Sequence, residues 1–558
     1  MFLIMRLRTS LIGLAFTLGL LLSATLGLPA TAVEPASPAP ETAPFFDDLG
    51  NHHFQISTES ETAQRYFNQG LILAYGFNHA EAARSFKAAA EQDATCAMCY
   101  WGLAYVQGPN INAPMDAAAI PTAWEASRQA AALSRHATIK ERLLIQALTA
   151  RYSPAETADR TALDAAYADA MQQVHERYPN DADIAVLYAE ALMDTMPWAY
   201  WDEAGQPKPE TVALLNTLES VIARQPDHPG ALHLYIHAVE KEHPELAIEA
   251  ADQLRGLVPD SGHLVHMPSH IYIRVGRYHD AVAVNQDAVA VDQAYLAGMP
   301  VPSLYTAAYV PHNHHFAWFG ALMTGQKDIA TAAAQATGSV APEMMRNPDF
   351  AGALQHYYSV PLYTQVRFEQ WDEILATPRP EADLLYPTGV WHYARGRAFT
   401  GQGKLAQAQQ ELAAVQALAA EPELAEMTIW GFNSTADILQ IAAAVLAGEL
   451  AAAQGDYERA VAQLQTAVER EDRLVYTEPP DWYSSTRNLL GNVLLQAGRD
   501  RDAEQAFRDD LSVYPNNGWS LYGLMQSLQA QGRTDEAAEV RSQFEEAWQY
   551  ADIQLAAQ

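Results

Sequence analysis

The chain has 558 residues, of which 49 % are hydrophobic, and this composition excludes an intrinsically disordered protein. Its formal net charge of −33 argues against binding to nucleic acid or to an anionic membrane surface. The charge suits a protein that attracts cations, although the acidic residues could equally serve only to keep an alanine-rich helical surface soluble.

Residues 1–32 predict an export signal, followed by a proline-rich arm over residues 33–59. Arg6 and Arg8 precede an uncharged stretch that ends near Leu28, and Ala30-Thr31-Ala32 provides a small-residue cleavage site. An uncleaved anchor is the alternative, because the uncharged stretch is close to the lower limit for spanning a bilayer. We expect cleavage, and therefore a periplasmic or secreted protein without stable membrane insertion.

Cys96 and Cys99 are the two cysteines of the chain. In an oxidising compartment they could form a local disulfide. Two ordinary buried thiols and a metal or redox role are the other readings. A c-type haem site is excluded, because Tyr100 and not histidine follows the second cysteine.

Residues 60–227 predict a first helical region. Gly70 and Ala82 are twelve positions apart, with Phe86 four residues further on, a spacing that returns later in the chain. Residues 196–201, Met-Pro-Trp-Ala-Tyr-Trp, and the following residues 205–210 read as a loop inserted between helices. This aromatic insertion could be a lid over a groove or a packed elbow.

Residues 228–387 form a histidine-rich region. Eleven of the eighteen histidines lie between His228 and His315. Since each helical residue turns by about 100°, the histidines fall into three stripes, each on one helix and within an arc of about 60°. The stripes are His233 with His237, then His263 with His266 and His270, then His312 with His315.

Pro268 lies in the middle of the predicted helix 263–274, where a proline costs about 3 kcal/mol. Such a break of a local rule often accompanies function. Alternatively, Pro268 is the first helical residue, and His263 and His266 lie in the preceding loop. Pro229 and Pro311 fit helix starts without strain.

Residues 388–558 carry the clearest repeats, at a period of about 34 residues. The same interval of twelve separates a glycine from an alanine in three helix pairs: Gly396/Ala408, Gly448/Ala460 and Gly491/Ala503. Small residues at these places let two helices pack closely, and a larger side chain four residues later fills the groove. Residues 440–548 contain no histidine, so we expect them to supply length, capping and partner contacts.

With these spacings the chain resembles the tetratricopeptide repeat (TPR) family over most of residues 60–548. The resemblance implies an all-α fold of stacked helix pairs that form an α-solenoid superhelix with a concave groove. In the family register, His263, His266 and His270 take positions 2, 5 and 9 of the first helix of a repeat. The resemblance implies that these positions line the groove, where a protein or peptide partner would also bind.

The chain also resembles a group of bacterial exported TPR proteins, for which the resemblance implies architecture and no chemistry. Four segments carry it: residues 75–79, 96–102, 108–112 and 266–270. Histidines of the amino-terminal part, at positions 52, 53 and 79, could fold back to add ligands.

The histidine stripes predict a transition-metal site, because imidazole is the commonest metal ligand and adjacent helices pack closely enough for imidazoles to meet at one ion. The candidate ligands are His233, His237, Glu240, His263, His266, His270, His312 and His315. Imidazole donors suit copper, zinc, iron or nickel, and Met267 within the cluster favours copper. Glu240 would favour iron or zinc. This many candidates indicates a pair of ions, or histidines that orient other ligands.

The sequence therefore predicts an exported TPR solenoid that binds a transition metal, copper first and zinc or iron next. If the protein is an enzyme, we expect metal-centred oxidation in preference to hydrolysis. A non-catalytic interaction scaffold is the main alternative, and metal storage or delivery is a third. Motifs for a hydrolase nucleophile, a phosphate loop and a dinucleotide site are absent from the sequence.

Overall fold

We describe a computed structural model, which covers residues 43–155, 157–298 and 305–555. The predicted export signal lies outside the described residues, as does the first part of the arm. The described residues belong to one compact unit. They contain helices and no β-strand, apart from three isolated bridges, which confirms the all-α fold class.

Eight helices form the amino-terminal region. They are α1 (Glu61–Tyr75), α2 (His79–Gln92), α3 (Ala97–Tyr105), α4 (Ile120–Leu133), α5 (Ile139–Thr149), α6 (Arg160–Arg177), α7 (Ala182–Asp194) and α8 (Pro209–Arg224). Before them, the arm folds back along the protein, with the Tyr66 hydroxyl donating to the Ala43 carbonyl at 3.1 Å.

Nine helices form the histidine-rich region. They are α9 (Pro229–Val239), α10 (Ile248–Leu254), α11 (Gly262–His266), α12 (Pro268–Arg274), α13 (Tyr278–Gly298), α14 (Val310–Met323), α15 (Lys327–Thr337), α16 (Ala351–Arg367) and α17 (Trp371–Ala376). A single turn of π-helix, Tyr305–Tyr309, leads into α14. Pro229 and Pro311 stand at helix starts, as predicted.

Nine more helices complete the fold. They are α18 (Leu385–Gly401), α19 (Leu405–Leu418), α20 (Pro422–Glu426), α21 (Thr435–Ala453), α22 (Tyr457–Glu471), α23 (Thr486–Gln496), α24 (Asp500–Val513), α25 (Gly518–Ala530) and α26 (Thr534–Ala547). The predicted boundary at residue 388 falls inside α18. The division into three helical regions stays a prediction.

The helices pair by the predicted close contact of a small residue with a bulky one. A methyl group placed on Gly70 would lie 2.9 Å from the ring of Phe86, and one on Gly491 would lie 2.5 Å from the ring of Phe507. Only a glycine therefore lets the two helices of each pair approach this closely. Gly396 differs, because its close neighbour is Leu446 of α21.

The turns inside the pairs need a residue in the left-handed backbone region. Gly276 (φ 77°) supplies it in the α12–α13 turn and Gly455 (φ 79°) in the α21–α22 turn. In the α1–α2 turn the corresponding residue is Phe77, with φ 55°. Since side chains other than glycine rarely adopt this conformation, Phe77 is held there by its surroundings.

Pro268 divides the predicted helix 263–274 into α11 and α12, with Met267 between them. Met267 keeps helical backbone angles, and its N–H donates to the carbonyl of His263 at 3.0 Å. Pro268 is thus the first residue of α12, while His263 and His266 remain helical. Each sequence reading was correct in part: Pro268 begins a helix, and His263, His266 and His270 all lie on helical backbone.

The carboxyl-terminal helices return onto the middle of the chain. The Trp519 indole donates to the Leu322 carbonyl at 2.8 Å. The Asp552 carboxylate accepts from the backbone N–H of Lys327 at 2.7 Å and of Asp328 at 2.9 Å, at the start of α15. This return brings the loop between α22 and α23 close to the histidine-bearing helices.

Among the described helices, α21 alone is long and apolar enough to cross a membrane on length and composition, and 67 % of its apolar window is buried inside the protein. A core helix of a folded protein passes the same test. Cys96 and Cys99 form a disulfide at the start of α3, which is one of the three readings of this pair. Both cysteines are fully buried.

Candidate metal centre

Six of the predicted histidines lie together in two groups of three. The first triad is His233, His237 and His263, and the second triad is His266, His270 and His312. Within each triad one ligand atom per residue lies within 4.8 Å of the others. All but the half-buried His312 are buried. The stripe on α11 and α12 is thus shared between the two triads.

In the first triad, His233 and His237 are oriented by contacts on the Nδ1 side of the ring, so that their Nε2 atoms face the other imidazoles, whereas His263 Nδ1 has no hydrogen-bond partner. His233 Nδ1 donates to the Tyr75 carbonyl at 2.6 Å, and His237 Nδ1 lies 3.3 Å from Glu240 Oε1. Because a carbonyl only accepts, His233 Nε2 must carry a lone pair. His237 Nε2 has no hydrogen-bond partner, and His233 Nε2 lies 3.2 Å from His263 Nε2.

The second triad is oriented in the same way. His266 Nδ1 lies 2.6 Å from Asn285 Oδ1, and Asn285 is itself fixed, because its amide nitrogen donates to the Ala281 carbonyl at 2.7 Å. His266 Nε2 therefore carries a lone pair and lies within hydrogen-bond distance of His270 Nε2, at 2.9 Å. The ring of His312 lies 4.9 Å from that of His266 and 5.7 Å from that of His270, centroid to centroid.

Two carboxylates stand behind the second triad. His270 Nδ1 lies 3.0 Å from Glu240 Oε2 and 2.5 Å from Glu478 Oε2. Glu240, a predicted ligand, thus contacts one imidazole of each triad, and it also forms a possible ligand group of its own with His237 and His270. This contact links the two triads.

Burial and charge act differently on the members of the triads. Burial lowers the pKa of five histidines well below the ordinary value, so that their rings are neutral: His233, His237, His263, His266 and His312. Burial also lowers the pKa of His270, but Glu240 and Glu478 outweigh it and raise that pKa to about 10. In the metal-free protein, His270 is a cation between two carboxylates.

Glu478 was missed by the sequence analysis. It lies in the loop between α22 and α23, in the part of the chain expected to supply only length, capping and partner contacts, and that expectation was incomplete. Its separation of 208 residues from His270 leaves no local pattern that could identify it. Only the return of the carboxyl-terminal helices brings it to the site.

His315 lies apart from both triads. Its ring is 5.8 Å from that of His356, whose Nδ1 lies 2.8 Å from the Tyr386 hydroxyl. Burial lowers the pKa of His356 to about 4. The structure therefore places this predicted ligand in a neighbouring pair, against the Trp318 ring.

The amino-terminal arm contributes a separate cluster. The Asp183 carboxylate lies 2.8 Å from His52 Nε2 and 3.4 Å from His228 Nε2, and it accepts from the Tyr75 hydroxyl at 2.9 Å. His228 Nδ1 accepts from the Ala231 N–H, so its Nε2 carries the proton in the neutral ring. That proton disfavours a metal at Nε2, and the cluster is a hydrogen-bond network at the base of α9.

A cavity of about 600 Å³ adjoins the triads. Five of the predicted ligand histidines line it: His237, His263, His270, His312 and His315. The aromatic insertion also lines it through Trp198 and Trp201, and the Trp201 indole donates to the Ala238 carbonyl at 2.8 Å. The insertion is therefore a packed segment that also forms part of the cavity wall.

Two segments of this chain match the model of the tetratricopeptide repeat, residues 441–466 and 518–542. They correspond to the helix pairs α21–α22 and α25–α26. The chain therefore contains tetratricopeptide repeats, as its glycine and alanine spacings predict. No curated protein shows significant similarity to the chain.

Among solved structures, human IFIT1, as a dimer with m7Gppp-AAAA, is similar at 14 % identity and a TM-score of 0.32, over 82 % of this chain and 90 % of that one. Yeast Tom70 is similar at 12 % identity and a TM-score of 0.31, over 86 % and 96 % of the two chains. Likenesses at these values carry no argument about function.

Proposed function

We propose that this chain is an exported TPR protein that binds transition-metal ions, one in each histidine triad, with copper first and zinc or iron next. The observation that carries the proposal is the tautomer pattern. His233, His237 and His266 each place the Nδ1 side of the ring against an oxygen, so that Nε2 faces other imidazoles. Metal-binding histidines are typically oriented by such partners.

The distances between the facing nitrogens also support an ion. Two imidazole nitrogens bound at 2.0–2.1 Å to one tetrahedral ion lie about 3.3 Å apart. The separations here are 3.2 Å in the first triad and 2.9 Å in the second. In the first triad His237 Nε2 lacks any hydrogen-bond partner, and an ion would supply one.

Charge further supports cation binding. Glu240 and Glu478 place two carboxylates behind the triads, and the whole chain is acidic. All-imidazole donors suit copper, zinc and iron and disfavour magnesium and calcium. If the protein is an enzyme, we propose oxidation at the metal in preference to hydrolysis.

Export is part of the proposal. The Cys96–Cys99 disulfide supports it, because disulfides persist in oxidising compartments. The mass of the protein recovered from such a compartment should correspond to a chain that starts at Val33. A retained segment 1–32 would instead indicate a membrane anchor.

The test is elemental analysis of protein purified without a histidine tag. We expect two equivalents of copper, zinc or iron, and the double variant His266→Ala, His270→Ala should lose the ion of the second triad and keep one equivalent. The matched control is His136→Ala, His175→Ala, which removes two histidines outside both triads and should keep the full metal content. Unchanged stoichiometry in the first double variant would refute the proposal for the second triad.

The TPR repeats themselves favour a second candidate, a scaffold that binds a protein or peptide segment. Protein that is metal-free as isolated and takes up no ion on dialysis would favour the scaffold. Rapidly exchanging ions would instead favour metal storage or delivery.

A further inference from the structure

The cavity beside the triads combines an imidazole wall with aromatic side chains. Its volume of about 600 Å³ lies within the range of small-molecule sites. Its aromatic residues include Trp198, Trp201, Tyr357, Trp430, Phe432 and Tyr476. Phe432 and Val475, which are 40 % and 54 % exposed, also line it, so the cavity reaches solvent beside these residues.

The backbone holds three aromatic residues against this site at an energetic cost. Phe77, Trp198 and Trp430 have φ angles of 55°, 60° and 50°, a region that bulky residues avoid. Trp198 and Trp430 line the cavity, and the Phe77 ring lies 4.6 Å from that of His233. Strained positions of this kind persist where the surrounding structure enforces them, and they cluster at ligand sites.

The charged groups of the cavity favour a neutral ligand. Three cations line the cavity. Arg160 is paired with Asp164 at 2.8 Å and Lys241 with Glu242 at 3.0 Å, while His270 lies between Glu240 and Glu478 at 3.0 and 2.5 Å, so all three already have partners. Glu478 and other carboxylates would repel an anion.

The polar atoms of the cavity favour a hydroxyl group. His237 Nε2 and His315 Nε2 are buried, belong to lining residues and lack hydrogen-bond partners. A hydroxyl at one end of a ligand would donate to such a nitrogen or meet an ion held there, while the aromatic walls take up the rest of the molecule.

We propose that this cavity binds a small, neutral, aromatic molecule with a hydroxyl group, its rings against the indoles and its hydroxyl toward the imidazoles. The inference deepens the proposed function, because it names the class of molecule that would meet the metal centre. It rests on the proposed function for the contact between the hydroxyl group and the metal. The aromatic contacts themselves need no ion, so binding can be measured in metal-free protein.

The probe is 2-naphthol, titrated calorimetrically into the metal-free full-length chain. We expect saturable binding at one site. Trp430→Ala should weaken the affinity about tenfold or more, and Trp430→Phe should restore it to within about threefold, because the ring and not the indole nitrogen makes the contact. The control is Trp391→Ala on α18, where the indole packs under Arg395 and is not part of the cavity.

The absence of saturable binding to folded, metal-free protein would overturn the inference. Equal affinity of the wild type and Trp430→Ala would do the same, since the probe would then bind elsewhere. Equally tight binding of 1-decanol would overturn the aromatic class in favour of a flexible apolar ligand. Metal uptake is measured separately by equilibrium dialysis, so naphthol binding without metal uptake leaves this inference standing and removes the metal proposal.

Discussion

Phe77 offers a sharp test of how the first helix pair is built, because its backbone and its side chain have opposite energetic effects. The ring is buried and contacts the first triad, so its removal should cost about 3–5 kcal/mol. The backbone, at φ 55°, costs a residue other than glycine about 1–2 kcal/mol. Phe77→Ala loses the ring and keeps the strain, whereas Phe77→Gly loses both.

The two variants should therefore differ in a definite direction. Glycine gains about 1–2 kcal/mol from relief of strain and loses about 0.5–1 kcal/mol through the entropy of the unfolded chain. The net expectation is that Phe77→Gly is about 1 kcal/mol more stable than Phe77→Ala. This corresponds to about fivefold stronger amide protection in α1 and α2.

Hydrogen exchange of α1 and α2 is the assay, since it reports local opening of this helix pair. The matched control is Phe86 on α2, whose ring is equally buried but whose backbone is helical. There the order should reverse, with Phe86→Ala about 1 kcal/mol more stable than Phe86→Gly. If alanine is the better replacement at both positions, the backbone of Phe77 is not strained and the reasoning fails.

Three further predictions follow from other contacts. Asn285→Ala removes the acceptor that orients His266 and should weaken metal binding about 10–100-fold, read by competition with a chelator, while unaltered affinity would contradict the oriented triad. Burial raises the pKa of Asp481 from 3.8 to about 7, and this effect outweighs its hydrogen bonds, which lower the pKa. Since the folded protein holds the proton more tightly than the unfolded chain, the free energy of unfolding should fall by up to about 4 kcal/mol as the pH rises from about 4 to about 7. Asp481→Asn should reduce the difference between the urea midpoints measured at pH 4.5 and 7.5. An equal difference in the wild type and the variant would contradict this prediction. Asp552→Ala removes the carboxylate that caps α15 at Lys327 and should cost about 1 kcal/mol, seen as faster proteolysis of the carboxyl terminus; unchanged cleavage would mean that the cap is not needed.

The candidate metal centre could be predicted from the sequence only as far as the type of its side chains and the helices that carry them. The spacing of His233 and His237 already places both imidazoles on one face of one helix. It does not reveal that His263 joins them while His266 turns to a different group. That division depends on the break at Met267 and on how α9, α11 and α12 cross, which are properties of packing.

What the sequence by itself determined was the architecture, because helix pairing here follows from local spacings. Gly70 and Gly491 stand where a bulky ring must approach, and the same interval repeats along the chain. Tertiary structure alone decided which side chains complete the site. Tyr75 offers its carbonyl to His233, and Glu478 reaches the second triad from a distant loop. Such contacts depend on the summed rotations of many stacked helices, which no short-range pattern encodes.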